Sequence, residues 1–81
     1  MEEEIKKEIR LFLKRFFKNY EFQDDVDMFS LGFVNSLFAM QLVLFTEQTF
    51  RITIENDDLV LDNFRTINAL TSLIKRKKEA Y

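Results

Sequence analysis

Leu31-Gly32-Phe33-Val34-Asn35-Ser36-Leu37 runs directly into an apolar stretch that reaches Phe45 and is broken only by Gln41. Gly32 and Asn35 are turn formers, so the stretch reads as a turn that delivers Ser36 to the start of a helix over residues 36–50. A helix apolar on nearly every side is buried on more than one side. The chain has no histidine and no cysteine. Ser36 therefore has no resident base to activate it, and it reads as a place of attachment rather than a nucleophile acting alone.

Outward from this helix, Ile5, Ile9, Phe12, Leu13 and Phe16 recur at helical spacing and predict a helix over residues 3–18, with Glu2, Glu3 and Glu4 favouring its N-terminus. Residues 19–35 lack a clean period. Asp24, Asp25, Asp27, Ser30, Gly32 and Asn35 mark a long loop, pinned to the core by Phe22, Val26, Phe29 and Leu31. Ile52 and Ile54 alternate like a strand but have no partner strand nearby, so they read as an extended connector. A short helical piece is expected near Asn56–Leu61. A last helix is expected over residues 65–78, carried by Ile67, Leu70 and Ile74, with Thr66 as a possible cap. The expected fold is all-α: one domain over residues 1–81, a small bundle of three main helices plus one short helix.

Composition narrows the function. Eighty-one residues with 47% apolar content, one glycine and no proline argue against disorder and against a turn-rich β fold. The ten phenylalanines should supply much of a modest core. Residues 1–18 carry six Lys/Arg and four Asp/Glu, residues 19–64 one Arg and nine Asp/Glu, and residues 65–81 five Lys/Arg and one Glu. An acidic middle disfavours nucleic acid as a partner. The basic run Lys75-Arg76-Lys77-Lys78 reads first as a complement to a helix dipole. Residues 28–46 hold no charge, but the helix within them is about 22 Å long, short of a membrane span. The acidic start is unlike a secretory leader, and a cytoplasmic monomer is the expectation.

Nucleophilic catalysis and zinc binding lack their residues here. Asp25-Val26-Asp27 opens like a calcium loop, but Phe29 and Ser30 stand where a ligand and the turn glycine belong. Asp57 and Asp58 read as dipole complements rather than an acid–base pair. No metal site and no enzyme activity are expected.

The segment Asp27-Met28-Phe29-Ser30-Leu31-Gly32-Phe33-Val34-Asn35-Ser36-Leu37 resembles the modification motif of acyl carrier proteins, and the likeness resumes at Phe64-Arg65-Thr66-Ile67. The resemblance implies that Ser36 carries 4′-phosphopantetheine, delivered from coenzyme A by a phosphopantetheinyl transferase, and that the arm's thiol holds an acyl group as a thioester. A phosphate at Ser36 would meet the positive end of a helix. A plain helix cap is the competing reading of this serine. The resemblance further implies that Leu37, Met40 and Leu44, with Asn35, Gln41 and Glu47 around them, meet acyl-loading and tailoring enzymes and acyltransferase or synthase modules. Periodicity alone leaves open whether the stripe Leu37, Met40, Leu44 or the stripe Ala39, Leu42, Val43, Phe50 faces the core.

Two departures from the family pattern stand out. Asn35 replaces the usual Asp before the serine. Glu47 is the sole carboxylate of a helix that in such carriers commonly bears several, which shifts recognition toward apolar contact. The combination of Val34 through Val43 with Leu61-Asp62-Asn63-Phe64-Arg65-Thr66-Ile67 looks like stand-alone carriers of polyketide and hybrid peptide–polyketide pathways, which load methoxymalonyl, hydroxymalonyl or aminomalonyl extender units. The alternative is an unmodified helical adaptor that binds a partner through the apolar second helix.

Overall fold

The computed structural model describes residues 1–18, 20–30 and 36–79. The expected turn residues Gly32 and Asn35, and the pinning residue Leu31, lie outside the described residues. Three α-helices form the fold: α1 (Glu2–Phe16), α2 (Ser36–Phe50) and α3 (Ile67–Glu79). No strand occurs among the described residues. The radius of gyration is 11.8 Å, close to the ~12 Å of a compact chain of this length.

The helix α1 buries Ile5, Ile9, Phe12 and Leu13, the stripe its spacing predicts. Phe16 departs from that stripe and is 47% exposed. The helix ends at this residue, and Phe17 turns inward in its place, its ring edge-on to Phe22 and Phe38 at 5.6 and 5.1 Å. Along α3, Ile67, Leu70, Leu73 and Ile74 are buried. Thr66 caps this helix, its Oγ1 accepting the Ala69 N–H at 2.9 Å.

The backbones of α1 and α3 lie close together, whereas α2 has no comparably close backbone approach to either. Phenyl rings fill the wider gap. Phe12 stacks on Phe45 with centroids 4.3 Å apart, and Phe38 meets Phe12 and Phe16 at 5.9 and 5.4 Å. Phenylalanine thus sets the spacing of α2 as well as filling the core.

The connector from α2 to α3 differs from a single short helix. It forms two 3-10 turns, Asn56–Asp58 and Leu61–Asn63, with Val60 extended between them. Asn and Asp compete with helical bonding through local hydrogen bonds. The Asp58 carboxylate accepts the Glu55 N–H at 2.9 Å at the start of the first turn, and the Leu59 N–H closes it on the Asn56 carbonyl at 3.2 Å, the tighter i→i+3 pattern. Residues 52–55 form neither helix nor strand, and Glu55 is extended.

The segregated charges fold onto one another. Lys6 and Arg10 of α1 pair with Asp24. Arg65 pairs with Asp27 and Asp62, and Lys77 with Glu55 and Asp58. Basic residues from both ends of the chain therefore clamp the acidic middle. Of the Lys75-Arg76-Lys77-Lys78 run, Lys77 joins this clamp, Lys75 pairs with Glu2, and Lys78 donates to the Phe50 carbonyl.

Candidate functional site

Ser36 opens α2 and is exposed, so its hydroxyl is reachable from solvent. The segment upstream of it is held from two sides. Asp24 binds Lys6 at 3.0 Å and also Arg10, while its carbonyl accepts the Asn68 N–H at 3.0 Å. The Met28 N–H donates to the Arg65 carbonyl at 2.7 Å, and Met28 is buried. Asp27 folds the chain locally, its Oδ1 accepting the Phe29 N–H at 3.0 Å. Phe22 is buried, and Val26 and Phe29 pack against the core, as the pinning role requires.

These contacts also set the charge states of the anchoring acids. The Lys6 ammonium, with Arg10 beside it, holds the Asp24 carboxyl below its ordinary value. Lys77, aided by the Glu55 N–H, does the same for Asp58. The other end of α2 is tied down as well. Arg51 takes a left-handed φ of 57° just past the helix, and the Lys78 ammonium reaches the Phe50 carbonyl at 3.0 Å.

Tertiary packing decides which stripe of α2 faces out. Leu37, Met40 and Leu44 are 66%, 63% and 47% exposed, whereas Phe38, Leu42, Thr46 and Phe50 are buried. Gln41 is exposed beside the outer stripe. Glu47 is placed differently: it is half-buried, and its Oε2 accepts the Ile54 N–H at 2.8 Å, which ties the connector to α2. Asn35 lies outside the described residues. The structure thus brings Ser36, Leu37, Met40, Gln41 and Leu44 together on one open face.

One residue at this face escaped the sequence reading. Arg15 of α1 lines a groove of about 350 Å³ with Gln41, Leu44 and Gln48, above Phe12 and Phe45. Its place beside α2 follows from helix packing, and no periodicity signals it.

Among the described residues, no group of His, Cys, Asp and Glu is placed to hold a metal ion, and no helix is long and apolar enough to cross a membrane. An exposed serine opening a helix whose outer stripe is exposed fits covalent attachment of a flexible group. The family model for the phosphopantetheine attachment site matches residues 3–74. No curated protein and no solved structure matches the chain. With nearly its whole length matched, the chain belongs to the phosphopantetheine-binding family of carrier domains. Domains of this family bind 4′-phosphopantetheine covalently, have no catalytic activity of their own, and work with phosphopantetheinyl transferases and synthase enzymes.

Proposed function

We propose that residues 1–81 form one carrier domain in which Ser36 is the attachment residue. The observation that carries this reading is the exposure of Ser36 at the first position of α2, inside the span matched by the family model. The Ser36 Oγ forms a bond to the phosphorus of coenzyme A that bears pantetheine. The bond from that phosphorus to the adenosine bisphosphate leaving group breaks. The hydroxyl proton passes to a base on the transferase, because this chain has no histidine to take it. The helix start then faces the phosphodiester with its positive end. When bound, the group supplies a thiol that holds an acyl unit as a thioester. Tethering raises the effective concentration of that unit at any enzyme that docks the carrier.

The partners in this reading are a phosphopantetheinyl transferase, acyl-loading and tailoring enzymes, and acyltransferase or synthase modules. Leu37, Met40 and Leu44 form the docking stripe, flanked by Asn35, Gln41 and Glu47. The pathway is a polyketide or hybrid peptide–polyketide one, and the cargo is a methoxymalonyl, hydroxymalonyl or aminomalonyl extender unit. The resemblance of residues 34–43 and 61–67 to stand-alone carriers of that kind supports this.

Incubation with coenzyme A and a broad-specificity transferase tests the attachment. A mass gain is expected on the native chain and none on Ser36→Ala. An equal gain on Ser36→Ala refutes the assignment of this serine. No gain on the native chain favours the adaptor reading, in which Ser36→Ala is silent and Met40→Glu abolishes partner binding. Intact-protein mass spectrometry on the chain from its producing cell reads the cargo. A simple fatty-acyl mass there would count against the extender-unit assignment.

A further inference from the structure

Any enzyme acting at Ser36 must cover the first turns of α2, and Leu44 lies only about 12 Å further along the axis. The charges around that footprint are unusual for a chain this acidic in its middle. No charged residue occurs from residue 28 to residue 46. The single carboxylate of α2, Glu47, is bonded to the Ile54 N–H. Asp24, Asp27, Glu55, Asp58 and Asp62 are each paired with a lysine or arginine, whereas Glu21, Asp25 and Asp57, all outside α2, make no ion pair among the described residues. Among the residues that line the groove beside the outer stripe, the charged one is positive. Arg15 is exposed, makes no ion pair among the described residues, and lines the groove with Gln41, Leu44 and Gln48.

We infer that the enzyme acting at Ser36 seats Leu37, Met40 and Leu44 in an apolar cleft whose rim on the α1 side is acidic and meets Arg15. This rests on the carrier reading and deepens it by naming the chemistry of the partner surface. A partner offering a basic patch would find on α2 only Glu47, half-buried and with one oxygen taken by the Ile54 N–H, and would meet Arg15 with like charge. The affinity comes from burying three aliphatic side chains, which salt barely weakens. Arg15 supplies orientation and on-rate, which salt does weaken.

The test is the kcat/KM for modification by a broad-specificity transferase with coenzyme A, followed by intact mass from about 25 to 500 mM NaCl. Native chain should lose no more than about threefold across that range. Met40→Glu should lose about tenfold or more at every salt concentration, as a central apolar contact does. Arg15→Glu should lose about threefold or more at low salt, with the gap closing at high salt. Far-ultraviolet circular dichroism and thermal melting confirm that both variants, changed at exposed positions, remain folded. A faster Arg15→Glu, or a native rate that falls more than about tenfold with salt, overturns the inference while leaving the carrier reading intact. Absence of any mass gain on the native chain ends both.

Discussion

The two faces of α2 are made of much the same material and have opposite fates. Leu42 is fully buried, and Met40, two residues away, is 63% exposed. Apolarity alone therefore does not assign burial in this helix. On α1 polar residues mark most of the outside, and the buried stripe can be read directly as far as Leu13, with Leu11 and Phe16 as the exposed apolar exceptions. On α2 only the position of the helix against the phenyl rings of α1 separates core from surface. An apolar face left open in this way is either a cost or a docking surface.

The largest effect should come from emptying the inner face. Leu42→Ala should destabilise the fold by about 2–5 kcal/mol, whereas Met40→Ala should stay within about 0.5 kcal/mol. Urea unfolding measures both, and equal losses would break the contrast.

A smaller contrast lies in charge. Asp24 is clamped by Lys6 and Arg10, while Asp25 beside it makes no ion pair among the described residues. Asp24→Asn should cost up to about 1 kcal/mol, as partly exposed pairs do, and Asp25→Asn close to nothing. The pH dependence has a definite sign. The pairing lowers the folded-state values of Asp24 and Asp58 below the ordinary 3.8. Their contribution is complete above that value and is lost as pH falls through the lowered folded-state values. Urea midpoints recorded down to strong acid should decline there for the native chain and less steeply for Asp24→Asn.

The smallest effect sharpens the comparison at the end of α2. Arg51 occupies a left-handed conformation that glycine adopts without strain. Arg51→Gly should stabilise the fold by about 0.5–1 kcal/mol, and a loss in urea unfolding would mean that the arginine side chain contributes more than its backbone costs.

Much of the fold was legible in the residues. The helix over residues 36–50 matches α2 end to end, and the predicted helices over 3–18 and 65–78 match α1 and α3 within two residues at each end. Thr66 caps as its residue type suggests. Phe16, and the split of the short helical piece at Asn56–Leu61 into two 3-10 turns, depart from expectation for different reasons. A terminal helical residue lacks a next turn to hold it inward, and a run rich in Asn and Asp satisfies its backbone locally. Of the candidate site, Ser36 at a helix start was legible, and so was the scarcity of acid on α2. The role of Glu47 in holding Ile54 was not, because that bond joins residues seven apart across a bend.

The sequence by itself determined where the helices lie, which serine opens the second of them, and that basic ends flank an acidic middle. Those are local properties, carried by periodicity, turn chemistry and charge counts along the chain. Only the tertiary structure decided which side of α2 stays open, which carboxylates are neutralised, and that Arg15 stands beside the docking stripe. Each depends on groups distant in sequence meeting across helices, and that is set by how the phenyl rings and ion pairs pack together.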